Sequence, residues 1–277
     1  MEEQYIKKLD EILNQFILQS KKFVDYSCFP YGTHDLLSYN VTSVKLTYDF
    51  EYFSFTKSTK TLISIRHLLK AGHNEDVMML VRSIFENYLS TRYLHENEHK
   101  LDNFIKNPIK VALAFYNVQS DGVLVNRNQE EIGKQENPST FKMGLDKKYF
   151  THFYDVLSRF SHCNFGLIDY YQENLNFTIS KNNEPLMIRL FVIFTFTKIF
   201  ELVVTVEGEE FINERTEKIC YQLVEDSIML QEKIMDFLIA RFNDNTEEFL
   251  KYHNKRMKSL FKNMKKSLKE EIGSIKK

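Results

Sequence analysis

The chain has no tryptophan, only four prolines and only eight glycines in 277 residues. A sandwich or barrel breaks its course every few residues at Gly, Pro or Asn, so this scarcity argues for long helices joined by few loops. Cysteine is scarce too. Cys28, Cys163 and Cys220 are odd in number and far apart, which excludes a disulfide framework and a zinc knuckle. No glycine-rich loop has Walker or Rossmann spacing and no G-x-S-x-G elbow occurs, so a P-loop ATPase, a nicotinamide enzyme and a serine hydrolase are not expected. Long charge-free apolar runs are also missing. The most apolar stretch, Leu186 to Val206, is interrupted by Arg189, Lys198 and Glu201, whereas a membrane span needs about 20 nearly uncharged residues. It reads as the central helix of a protein core, with no membrane span. The opening MEEQYIKKLDEILNQF has no apolar signal core, and the cytoplasm is the expected compartment.

What is present is apolar and aromatic: 43% hydrophobic residues, with 24 Phe and 15 Tyr. Ile6, Leu9, Ile12, Leu13, Phe16 and Ile17 recur at three-and-four spacing and predict a first helix over Glu2–Val24. A second helical region spans Thr42 to Ala71, with FEYFSFT a candidate irregularity, and Gly72 is placed to end it. Asn74 is a candidate N-cap for a third helix, with Glu75 and Asp76 complementing its dipole. Asn107–Pro108 suggests the start of a short helical element ending near Val118. Residues 120–145 read as the main loop, a lid, an insertion or a disordered strip. Helical patterning resumes at Lys147, NFTISKNNEP offers a small strand pair or an irregular loop, and Pro185 opens the apolar helix. A long helix over Asn213–Phe242 and a last one from Thr246 complete the chain. The expectation is an all-α multi-helix bundle, a single domain over residues 1–245, with an extended basic amphipathic C-terminal helix over 246–277.

The stretch HENEH contains H-E-x-x-H, which on a helix can place two histidines on a zinc ion. Here Asn97 and Glu98 between the histidines are both polar, and no later motif supplies a third ligand. His95 and His99 therefore read as surface residues at a solvated helix end, and neither a metal nor any other cofactor is expected.

A stronger signal lies in LVRSIFENYL, where Arg82 and Glu86 stand four apart among apolar residues on nearly every side. Charges there need partners, because an unpaired buried charge is costly. In YDVLSRFSH, Tyr154, Ser158 and His162 repeat every four residues and form one helical stripe. If the two helices face each other, Arg82, Glu86, Tyr154, Ser158 and His162 make one hydrogen-bonded cluster.

LLKAGHNEDVMMLVRSIFENYLSTRYL, followed by YDVLSRFSH, resembles an uncharacterised family of bacterial all-helical proteins with an R-S-x-x-E helix and a Y-x-x-x-S-x-x-x-H helix. Arg82, Ser83 and Glu86 match the first motif, and Tyr154, Ser158 and His162 the second. That family looks related in architecture to the HEPN superfamily of helical bundles, which includes toxin and phage-defence ribonucleases. The signature Arg and His of those nucleases would fall at Arg66 and His73, although His73 lies beyond the Gly72 stop. The resemblance implies a toxin or phage-defence effector acting on RNA without a metal. His162 would be the general acid/base and Arg82 the stabiliser of phosphate charge, with Glu86 orienting one of them and Tyr154 and Ser158 positioning substrate. The alternative is a non-enzymatic sensor or interaction module in which the same five residues fix helix register.

Charge adds a third feature. Residues 251–277 hold ten Lys/Arg against two Glu, a surplus of eight, so with a net charge of -1 the rest of the chain is at -9. Leu250, Met257, Leu260, Phe261, Met264, Leu268 and Ile272 form an apolar stripe opposite the lysines. Such a helix suits RNA, an anionic membrane surface, a protein partner or a second subunit, or packs its stripe on the body.

Overall fold

The structure is a computed structural model. It describes residues 1–28, 46–97, 116–119, 123–134, 147–179, 184–204, 214–241, 255–256, 258–259, 261–263 and 265–266. The expected helix start at 42–45, the element opening at Asn107–Pro108, His99 and the last turns of the C-terminal helix lie outside these residues. The fold is an all-α multi-helix bundle.

Helix α1 (Glu2–Ser27) buries Leu9, Leu13, Phe16 and Phe23, the face its periodicity marks. Helix α2 (Leu46–Ala71) runs through FEYFSFT without interruption. Its end is set by Gly72, whose φ of 83° is a left-handed value that costs glycine little. His73 N–H donates to Leu68 O at 3.0 Å and Gly72 N–H to Leu69 O at 3.4 Å, the paired bonds of a Schellman stop. Helix α3 (Asn74–Glu96) follows at once. Its N-cap position is His73 rather than Asn74, which is the first helical residue and fully buried.

The region read as one long loop contains strands instead. β1 (Tyr116–Val118), β2 (Val123–Asn126) and β3 (Glu131–Lys134) form a small antiparallel sheet in that order. Tyr116–Val118 is therefore extended, not the end of a helix. The run Val123-Leu124-Val125 favours a strand, and Leu124 and Val125 are buried. Asn126 shapes the turn, its side-chain oxygen accepting from the N–H groups of Asn128 and Glu130.

Helix α4 (Lys147–Ser161) leads into a 3₁₀ helix (Phe165–Tyr170) and a minimal hairpin, β4 (Gln172–Glu173) with β5 (Asn176–Phe177). Helix α5 (Pro185–Val204) is buried on all sides, as its uniformly apolar sequence requires. Among the described residues no helix is long and apolar enough to cross a membrane. Helix α6 (Glu214–Arg241) completes the bundle.

The α5 helix packs against α1, α2, α3 and α6. Phe16 of α1 meets Phe196 and Phe200 edge-on, and Phe153 of α4 meets Phe191 and Phe194. Each ring removed from water contributes roughly 1.5–3 kcal/mol, and edge-to-face geometry adds to it. Small polar groups fill two seams. Thr91 donates to Ser54 at 2.8 Å and Asn87 to Ser58 at 2.9 Å between α3 and α2. Gln231 of α6 donates to Thr197 of α5 and to Ser227 of its own helix. Of the C-terminal helix, the described turns run antiparallel to α6. Phe261 is buried against Phe194, while Lys258 pairs with Asp236 and Lys265 with Glu232.

Candidate functional site

Helices α3 and α4 run antiparallel along an aromatic seam. Phe85 lies 4.9 Å from Phe153 and 5.7 Å from Phe150, and Tyr88 lies 5.8 Å from Phe150, ring centre to ring centre. This register places Arg82, a turn before Phe85, opposite Tyr154, which follows Phe153. Arg82 Nε donates to Glu86 Oε1 at 3.0 Å, Arg82 Nη2 donates to the Tyr154 hydroxyl at 2.8 Å, and that hydroxyl donates to Glu86 Oε1 at 2.9 Å. The guanidinium also sits 5.0 Å from the centre of the Tyr154 ring. Two residues from one helix and one from the next thus close a three-membered ring of hydrogen bonds.

The triad is half-buried, with the Arg82 side chain 23% and the Glu86 side chain 33% exposed. Burial by itself would lower the Arg82 pKa, but the Tyr154 hydroxyl and the Glu86 carboxylate outweigh it and raise it, keeping the group charged. The Tyr154 hydroxyl is raised above its ordinary value. Burial is the main cause, and Glu86 adds to it against the pull of Arg82.

Of the five residues expected to cluster, these three come together. Ser158 spends its hydroxyl within α4, donating to the Tyr154 backbone oxygen at 2.8 Å. His162 is exposed and sits one residue beyond the end of α4. Eight residues of helical rise separate it from Tyr154, about 12 Å, so the stripe is real but too long for its far end to reach the guanidinium. The second expected pair, Arg66 and His73, is divided by the Gly72 stop, and Arg66 Nη1 donates to Asn14 Oδ1 of α1 at 3.4 Å.

A second polar cluster, not anticipated, occupies the other half of α3. Arg92 Nε donates to Glu96 Oε1 at 3.0 Å and Arg92 Nη1 to the Tyr88 hydroxyl at 3.1 Å. Beneath it Lys198, only 6% exposed in the middle of α5, lies 5.5 Å from the Tyr88 ring centre and donates to Glu201 Oε2 at 3.4 Å. Burial works to neutralise Lys198, yet Glu201 and Tyr88 reverse it and leave its pKa raised. Beside this cluster His95 is exposed in the last turn of α3, as its sequence context predicts, but it has a partner. Its Nδ1 is 3.0 Å from Oε1 of Glu51, a buried carboxylate on α2. His99 lies outside the described residues. The signals were in the sequence: Arg92 and Glu96 repeat the spacing of Arg82 and Glu86, and Lys198 is a cation inside an apolar helix. Among the described residues no group of three or more His, Cys, Asp or Glu side chains is arranged to hold a metal ion.

Residues 51–178 match the profile of a family of unknown function, DUF5677, over somewhat less than half of the chain. The matched span includes both polar motifs, the triad and the β4–β5 hairpin, in keeping with the resemblance to an uncharacterised family. No curated protein and no solved structure matches the chain.

Proposed function

We propose that the chain is a non-enzymatic interaction or sensor module in which Arg82, Glu86 and Tyr154 latch α4 onto α3. The observation that carries this reading is the closure of the triad upon itself: each member bonds both others, at 3.0, 2.8 and 2.9 Å. His162, the residue expected to act as general acid/base, stands about two turns from Tyr154 and is no member of the triad. Buried and half-buried polar networks of this kind fix helix register without doing chemistry.

A second reading keeps one supporting observation. Arg82 uses Nε and Nη2, and its Nη1 has no partner among the described residues, so one edge of the guanidinium remains for a phosphate. On that reading the chain is a HEPN-like toxin or phage-defence effector of bacterial origin. It works in the cytoplasm on RNA, and a mobile His162 completes the site. Induced expression of wild type, Arg82→Ala and His162→Ala, scored for growth, RNA integrity and purified-protein Tm, separates the two. The latch predicts no toxicity in any strain, a lowered Tm for Arg82→Ala and an unchanged Tm for His162→Ala. Toxicity and RNA cleavage that vanish in His162→Ala at constant Tm would overturn the latch and leave the effector.

A further inference from the structure

Residues 165–179 concentrate apolar surface that the fold leaves in water. Of the twelve large apolar side chains exposed among the described residues, five stand here: Phe165, Tyr171, Leu175, Phe177 and Ile179. Leu175, Phe177 and Ile179 are 92%, 79% and 93% exposed. Phe177 closes β5, Ile179 follows two residues on, and Leu175 sits in the turn. That turn is unusual. Asn174 and Leu175 both have left-handed φ, 50° and 65°, where a two-residue hairpin ordinarily places Asn-Gly. A leucine held in that conformation with its side chain in solvent buries little against the described residues. A two-stranded hairpin is marginal by itself in water. This one is tied down at its base by Thr178 N–H donating to Tyr171 O at 2.8 Å and by the Phe160–Tyr170 ring contact.

The surroundings are acidic. From Phe160 to Ile179 the chain has Asp169 and Glu173 and no lysine or arginine. Glu75 and Asp76 at the start of α3 and Glu184 before α5 add their fields, helping burial to raise Tyr171 and to push Tyr170 up to about 12. An anionic membrane is repelled by such a collar, and a cationic protein surface is attracted.

We propose that this hairpin docks on a second copy of the chain, against the lysine face of its C-terminal helix. Lys255, Lys262 and Lys266 are exposed there at spacings of seven and four, one helical face, with Lys258 between them on Asp236. The apolar edge of that helix is engaged at home through Phe261, so the face it offers outward is the cationic one. Lysine suits both parts of the hairpin. Its methylene stem covers leucine, isoleucine and phenylalanine, while its ammonium group reaches the carboxylate collar or the face of a phenyl ring. Each copy carries one hairpin and one lysine face, so a two-fold axis pairs them reciprocally and closes the assembly. The contact is separate from the Arg82 triad and holds on either reading of it.

Sedimentation velocity of the full chain, from about 1 to about 100 µM, tests the contact. The expected result is a dimer at low salt. Leu175→Ser with Phe177→Ser should raise its Kd about tenfold or more, the usual consequence of losing central apolar anchors. Lys255→Glu with Lys262→Glu should do the same, and adding Glu173→Lys to Lys262→Glu should restore part of the loss. Raising salt from about 0.1 to about 1 M cuts the screening length from about 10 to about 3 Å and should also weaken it. All these side chains are exposed, so far-UV circular dichroism and Tm should hold in every variant. A wild type that stays monomeric at about 100 µM overturns the proposal. So does a dimer indifferent to both substitutions, or a monomer that co-sediments with phosphatidylglycerol vesicles.

Discussion

Helix α3 builds the same chemical group twice. Near its middle Arg82 pairs with Glu86 and a tyrosine hydroxyl, and nearly three turns later Arg92 pairs with Glu96 and a tyrosine hydroxyl. In each case the Nε–Oε1 distance is 3.0 Å. The difference is where the tyrosine comes from. Tyr154 belongs to α4, so the first group joins two helices, whereas Tyr88 belongs to α3, so the second mostly joins a helix to itself. The second group instead lies over Lys198, whose charge α5 carries into the core beside Glu201. One group latches and the other shields, and residue type alone does not tell them apart.

The largest expected effect tests the shield. Glu201→Ala leaves Lys198 buried without its carboxylate and should cost about 3 kcal/mol in urea unfolding, the low end for breaking a buried pair because Glu201 keeps some solvent contact. Lys198→Met together with Glu201→Leu replaces the whole pair by apolar groups of similar volume and should be near neutral. If Glu201→Ala costs no more than a surface substitution, the shield does not exist.

Next comes the direct comparison. Arg82→Ala should cost about 2 kcal/mol, because Glu86 and Tyr154 lose a shared charged partner, and Arg92→Ala about 1 kcal/mol. A double-mutant cycle between Arg82→Ala and Tyr154→Phe should give a coupling of about 1 kcal/mol. The Arg92–Tyr88 cycle should give less than about half of that. Equal couplings would erase the distinction between a bond across helices and a bond within one.

The smallest effect lies at high pH. Tyr154 is raised above 10.0 in the folded chain, so the folded state keeps a proton that the unfolded state releases as pH passes 10. Stability therefore falls as pH rises beyond that point, and Tyr154→Phe should fall less. Cys220, pushed by burial from 9.0 up to about 12, adds the same sign of slope between those values. The measurement belongs in a Cys220→Ala background, where a Tyr154→Phe curve parallel to its parent's would refute the assignment.

Long-range order was legible wherever a whole helix face carried it. The periodicity of α1, the uniform apolarity of α5 and the Gly72 stop each fix an element from local chemistry. The meeting of Arg82 with Tyr154 was legible because burial demands a partner and few polar residues offered one. His162 misled for a definable reason: a four-residue period marks a shared face but sets no length limit, and the face outran the site. The β1–β3 sheet was obscured because Val123-Leu124-Val125 is short and set among polar residues and glycines. The hairpin tip was hidden more deeply. Nothing in Asn174-Leu175 announces a left-handed turn, since the glycine that normally marks one is absent.

The all-round burial of α5 has a consequence for how relatedness and folding units divide this chain. The matched span, residues 51–178, ends before α5 begins, yet the Phe153 ring within it packs on Phe191 and Phe194 outside it. A fragment cut at those boundaries would bare the surface it was meant to cover and should clump rather than fold. Any protein that retains this span alone has to borrow a greasy post from somewhere, whether from elsewhere in its own polypeptide or from a companion.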